Sequence, residues 1–243
     1  MNTRYPAIAR TVVLLLSTGA AVYLAGCGGG EVTTVAPSAA AADAASTPLF
    51  EAARVSDPSS ALSADEATSL AFMREEEKLA RDVYSAMAAL WGAQVFDRIG
   101  ASEQAHMDAV KQLLSRYGLA DPAATTPAGQ FVNRSLQSLF DTLIAAGGAS
   151  LIDALVVGAE IEELDIRDLR TIGTRTDNAD LLQVYSNLER GSRNHLRAFA
   201  EQLLQRGVTY TPKHITQAEY DAIVGSPQEK QSFTFHPPTG GIQ

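Results

Sequence analysis

From Ser63 onward, apolar residues recur at three- and four-residue spacing, the period that keeps one face of an α-helix buried. Ser63 with Glu66 forms a capping box. The helix it opens runs to about Trp91 on the stripe Leu70, Met73, Glu77, Ala80, Tyr84, Met87 and Trp91. A second helix covers about Gln94 to Tyr117, with Gly118 as its stop, on the stripe Phe96, Ile99, Glu103, His106, Val110, Leu113 and Tyr117. The third opens at Ser150, with Asp153 completing the cap, and aligns Ile152, Val156, Ala159, Glu163, Ile166 and Leu169 before Gly173. The fourth starts near Asp177 and aligns Leu181, Tyr185, Leu188, Ser192, His195, Phe199 and Leu203 before Gly207. Thr216 with Glu219 opens a short C-terminal helix to about Val224.

The first two helices are separated by a few residues, and so are the third and fourth, which predicts two antiparallel hairpins. Between the hairpins lies a crossover of about thirty residues with a short helix near Ser135 to Ala146. The hairpins also resemble each other. Glu76-Glu77-Lys78-Leu79-Ala80-Arg81-Asp82-Val83 aligns with Glu162-Glu163-Leu164-Asp165-Ile166-Arg167-Asp168-Leu169, and Ser102-Glu103-Gln104-Ala105-His106 with Gly191-Ser192-Arg193-Asn194-His195. A repeat of this kind predicts an all-α, pseudo-twofold four-helix bundle. It brings Glu77, Glu103, His106, Glu163 and His195 to one level.

Three carboxylates inside a bundle are costly to desolvate unless they are paired, protonated or bound to a cation. With two imidazoles beside them, the set suits two iron or manganese ions, or a single zinc ion. Glu160 and Glu189 lie one turn from the stripes and are second-rank ligands, as is Ser192, which could bond a metal-bound water. Glu75, Glu76 and Glu162 fall off the stripes and are expected in solvent. Tyr84 and Tyr185 are expected as core aromatics, with the Tyr84 hydroxyl in reach of a ligand carboxylate as the intermediate case. Arg81 with Asp82 and Arg167 with Asp168 are repeat-related; they either orient ligands or form surface ion pairs. Gly100, Gly158 and Gly191 sit mid-helix and mark close packing or a bulge. His214 and His236 lie outside the repeat and are expected on the surface. The metal-free alternative is a hydrogen-bonded polar layer that sets helix register.

Composition narrows the function further. The chain has 243 residues and is 46% hydrophobic, enough to build a core. Nineteen basic residues against 28 acidic ones give a net charge of -9, which argues against nucleic-acid binding. The single cysteine, Cys27, excludes an intramolecular disulfide or a Cys-rich zinc site, and no glycine-rich phosphate cradle is present. Arg4 and Arg10 precede the apolar run Thr11 to Leu24, the pattern of a secretory signal. After Cys27, the Gly-, Ala-, Ser- and Pro-rich stretch to residue 61 reads as a flexible tether, with a reach of roughly 30 Å. The expected organisation is signal peptide 1–26, lipidated cysteine and tether 27–61, helical domain 62–225 and frayed tail 226–243.

Leu24-Ala25-Gly26-Cys27 resembles a bacterial lipobox, which implies cleavage before Cys27 and a lipid anchor on its sulfur. The residue after Cys27 is not Asp. By resemblance to Gram-negative lipoproteins, this implies the outer membrane, with the domain facing the periplasm. Arg74 to Tyr84, Ser102 to Val110, Gly158 to Leu169 and Gly191 to Phe199 resemble the ferritin-like superfamily, and within it an uncharacterised bacterial and archaeal family. That superfamily holds di-iron or di-manganese with one Glu from each of two helices and a Glu-x-x-His from each of the other two. Glu77, Glu163 and Glu103 with His106 match, whereas Ser192 stands where the second Glu-x-x-His needs a glutamate. The resemblance implies iron oxidation, peroxide reduction or oxygen activation. The alternative is an envelope module that binds one metal for sensing or sequestration, or binds a protein partner. Storage in a cage conflicts with a lipid anchor on every subunit.

Overall fold

The computed structural model describes residues 61–230, which form six α-helices and, among the described residues, no strand. They are α1 (Ala64–Trp91), α2 (Gln94–Arg116), α3 (Arg134–Gly147), α4 (Leu151–Gly173), α5 (Ala179–Leu204) and α6 (Gln217–Val224). The expected signal segment, Cys27, nearly all of the tether, His236 and most of the tail lie outside the described residues. No described helix is long and apolar enough to cross a membrane.

Local chemistry sets the helix ends. Ser63 and Thr216 make complete capping boxes with Glu66 and Glu219, and Ser150 accepts from the Asp153 N–H. Asn178, one residue past the expected start, caps α5. The connection from α1 to α2 is only Gly92 and Ala93. It turns on a left-handed Gly92 at φ 64°, a conformation that a Cβ would strain.

Contacts run in opposite directions along every adjacent pair of long helices. On α1 and α2, Tyr84 meets Gly100 and Glu77 meets His106; on α4 and α5, Gly158 meets Phe199 and Arg170 meets Glu189. Across the pairs, Tyr84 meets Glu162, while Ser102 meets His195 and Tyr117 meets Asn178. Each long helix is thus antiparallel to its two neighbours, in the cyclic order α1, α2, α5, α4.

The core has two apolar clusters. One contains Tyr84, Phe96 and Phe199, whose ring centroids are 5.3 to 6.3 Å apart; the other contains Leu70, Val110, Leu181 and Leu188. Truncating Phe96 to alanine would cost about 3–5 kcal/mol. Between the clusters, the chain places ionisable residues on all four helices: Glu77 on α1, Glu103 on α2, Glu162 on α4 and His195 on α5.

The crossover explains why much of the polar run 74–78 on α1 is buried. Glu75, expected in solvent, is 3% exposed and accepts from the Val132 and Asn133 N–H groups. Arg74 donates to Asp121 and to the Met107 carbonyl, and Lys78 to Asp82 and to the Pro127 and Gln130 carbonyls. The outer face of α1 is therefore covered, and its charges act as clamps on the crossover. Ile152 departs from its expected stripe and is exposed at the start of α4.

Candidate metal centre

Five side chains from four helices converge between the two apolar clusters: Glu77 from α1, Glu103 and His106 from α2, Glu162 from α4 and His195 from α5. They fall into two groups that share Glu103. Glu77, Glu103 and His106 make one; Glu103, Glu162 and His195 make the other, and within each group one potential ligand atom per residue lies within 4.8 Å of the rest. Glu103 lies between the imidazoles. Its Oε2 is 2.7 Å from His106 Nδ1 and its Oε1 is 2.7 Å from His195 Nδ1. The second carboxylate of each group is farther away: Glu77 Oε2 lies 3.3 Å from His106 Nδ1, and Glu162 Oε2 lies 3.4 Å from His195 Nδ1.

The hydrogen-bond pattern is incomplete where a cation would sit. Glu77 Oε1 and Glu162 Oε2 are buried without a hydrogen bond, and Glu103 Oε1 and His195 Nδ1 face only each other. The outward-facing atoms are tied down. His195 Nε2 lies 2.9 Å from Ser102 Oγ, and the Tyr84 hydroxyl donates to Glu162 Oε1 at 2.5 Å. These contacts orient the ligand atoms toward one another. Gly191 supplies the remaining space, because a Cβ there would come 2.5 Å from His106 Nε2.

The electrostatics show what replaces a cation when none is bound. Burial pushes His195 down, but Glu103 and Glu162 outweigh it and raise it to about 10. His106 is also raised well above the ordinary histidine value, since Glu103 and Glu77 overcome its burial. Burial favours the neutral form of Glu103, but His195 and His106 hold it below the ordinary carboxylate range. Burial lifts Glu77 to about 7 against the pull of His106, and raises Glu162 against that of His195. Two imidazolium rings thus offset part of the charge of the three carboxylates, and binding metal there must displace their protons.

Four of the expected ligands converge, and Glu163 does not. Its Oε2 accepts from the N–H groups of Lys213, His214 and Ile215, so it holds the segment leading to α6. The inward residue is Glu162, which had been expected in solvent and is fully buried. The sequence repeat pairs Glu77 with Glu163, whereas space pairs it with Glu162. Every residue from Ile161 to Ile166 is buried, because α4 is covered by α1, α3, α5 and the segment at 213–215. Periodicity therefore has no exposed face by which to choose between the two glutamates. Only packing separates them: the Tyr84 hydroxyl, from α1, bonds both the Gly158 carbonyl and Glu162.

The second-rank candidates lie outside the cluster. Glu160 pairs with Lys213 at 2.6 Å beside His214, Glu189 pairs with Arg170 and Arg193, and Ser192 Oγ donates to the Leu188 carbonyl. Asp82 is buried against Lys78 with Arg81, whereas Arg167 and Asp168 pair nearer the surface. Gly158 and Gly191 mark close packing against Phe199 and His106 in unbroken helices.

A family model described as uncharacterized protein domain (DUF2202) matches residues 66–227, a span that includes all five converging side chains. The chain belongs to the DUF2202 family. It is similar to uncharacterized protein MJ0754 of Methanocaldococcus jannaschii, with 47% identity over 173 residues, covering 71% of this chain and 94% of that protein. The crystal structure described as hypothetical protein MJ0754 from Methanococcus jannaschii matches with a TM-score of 0.70, over 72% of this chain and 99% of that one. The site of this DUF2202 domain thus lies wholly within the residues that the family model matches. Its donors, three carboxylates and two imidazoles with orphaned atoms facing inward, fit divalent iron or manganese.

Proposed function

We propose that this protein is a ferritin-like, carboxylate-bridged metalloprotein that holds two iron or manganese ions, with Glu103 as the bridge. One ion is assigned to Glu77 and His106, the other to Glu162 and His195. The single observation carrying this reading is the pair of His/carboxylate groups that share the buried Glu103, with Glu77 Oε1 and Glu162 Oε2 buried beside them without hydrogen bonds.

Such a pair of ions, when bound, supplies the one-electron steps of iron oxidation or peroxide reduction. The chain's own residues provide the setting. Tyr84 holds Glu162 Oε1 and Ser102 holds His195 Nε2, so both ligands keep their inward atoms free. The buried Tyr84, Phe96 and Phe199 limit water on one side. We further propose that the domain is exported and anchored through a lipid on Cys27, on the basis of the signal-like run and lipobox.

The test is to count metal per chain by mass spectrometry in wild type and Glu103→Gln. About two iron or manganese ions, lost in the variant, support the reading, and ferrous oxidation and peroxide consumption are then measured. A loaded protein that turns over neither substrate faster than free metal sinks the redox assignment. The tethered Ser192 hydroxyl leaves the His195 group one carboxylate short of the ferritin-like pattern, which favours a second reading with a single redox-silent zinc ion. One zinc per chain would select it. Cys27→Ser should remove labelled fatty acid and membrane fractionation if the anchor is real.

A further inference from the structure

A second set of carboxylates lies beside the centre, toward the far end of α1 and α4. Glu76 and Asp165 are 3% and 1% exposed. Glu76 Oε2 and both Asp165 carboxylate oxygens have no hydrogen-bond partner. Asp165 lies close enough to Glu76, Glu77, Glu162 and Glu103 for their charges to act on it, and Glu76 lies against Asp168 and Glu77. The nearest cation, Arg167, is already bound to both Asp168 oxygens, at 2.7 and 2.9 Å. Asp168, at 20% side-chain exposure, marks the outer end of this row.

This differs from the other buried charges of the molecule. Lys78 is buried with Asp82, Glu75 with two backbone N–H groups and Arg74 with Asp121. Asp165 has no such complement, and Glu76 has only a hydrogen bond to the like-charged Asp168, with Oε2 left over. Sequence periodicity placed Glu76 in solvent and gave Asp165 no role. Burial of both against like charge calls for a positive ion or bound protons.

We propose that Glu76 and Asp165 form an all-oxygen subsite for one hard divalent cation, set between Asp168 at the surface and the Glu77 and Glu162 wall of the His/carboxylate centre. The inference rests on the metal-centre reading for the direction of ion movement. The subsite itself stands on these two side chains. With no nitrogen donor, its oxygen ligands are of the kind that Mn2+ and Ca2+ take. It is an outer station from which an ion passes inward, each step exchanging one carboxylate for the next.

The test uses the metal-free full-length protein and Glu76→Gln/Asp165→Asn, each titrated with Mn2+ and separately with Co2+. Wild type is expected to bind about one more Mn2+ per chain than the double variant, while the Co2+ visible spectrum of the histidine-ligated ions stays the same. Equal Mn2+ uptake with an unchanged Co2+ spectrum overturns the subsite and leaves the centre standing. Uptake that drops in the variant, with no histidine-ligated Co2+ in either protein, supports the subsite and sinks the centre. Melting temperature controls for folding. Metal-free Asp165→Asn is expected to melt no lower than wild type, because the amide keeps the shape of a carboxyl that has no hydrogen-bond partner to lose, and to show a smaller rise on adding Mn2+. A lower metal-free melting temperature with an undiminished Mn2+ response overturns the subsite.

Discussion

Glu162 and Glu163 are consecutive on α4, have the same side chain and are both fully buried, yet they have different partners. One oxygen of Glu163 accepts three backbone N–H groups from residues 213–215, while its Oε1 is buried without a hydrogen bond. Glu162 takes one bond from Tyr84, and its other oxygen faces His195 without a hydrogen bond. The outer and inner sides of α1 repeat the contrast. Glu75 and Lys78 are saturated by the crossover, whereas Glu76 and Glu77 keep orphaned oxygens. Burial alone therefore does not separate structural from functional charge here. What each carboxylate faces does: Glu75 and Glu163 hold backbone N–H groups of the segments that cover them and support the fold, whereas Glu77 and Glu162 face the imidazoles and remain available to a ligand.

The largest effect should come from a saturated residue. Lys78→Met leaves Asp82 with only its Arg81 and Gly129 contacts and removes the donor to two crossover carbonyls. A loss of about 3 kcal/mol is expected in denaturant unfolding. Glu163→Ala should cost about 2 kcal/mol, by orphaning the three N–H groups, and leave the number of bound ions unchanged. If metal uptake falls with Glu163→Ala, the contrast between the two glutamates is wrong. Glu162→Gln should have the opposite signature: metal-free stability unchanged or up by about 1 kcal/mol, with metal uptake reduced. Calorimetry of the apo and loaded variants reads both.

The smallest effect concerns a saturated carboxylate near the surface. Arg193 and Arg197 hold Glu229 down to about 2, from an ordinary value of 4.5, against its partial burial. A depressed folded value stabilises the fold above the ordinary value, and this contribution is lost as pH falls from 4.5 through about 2. Because the group is partly exposed, Glu229→Gln should flatten the stability profile in that window by less than about 1 kcal/mol. An identical acid profile in variant and wild type would show that the arginine contacts contribute nothing.

Local chemistry was legible along the chain. Capping boxes at Ser63 and Thr216 and the left-handed stops at Gly118 and Gly207 identify helix ends from residues that act within one turn. On α2, polar residues such as Asp108 and Lys111 mark an outward face, so the inward stripe carrying Glu103 could be read from periodicity alone. The same argument failed on α4. There the partners that separate Glu162 from Glu163 come from residues about 50 to 80 positions away in the chain.

By itself, the sequence determined six helices and their hairpin order, an acidic balance, and Glu77, Glu103, His106 and His195 as inward residues. Each follows from local caps, short connections or a stripe with an exposed opposite face. Only the tertiary structure decided that Glu162 faces inward and Glu163 outward, that the α1 charges clamp the crossover, and that Glu76 Oε2 and the Asp165 carboxylate are buried without hydrogen bonds. These depend on which distant segment covers a helix face, and that covering segment leaves no period in the helix it covers.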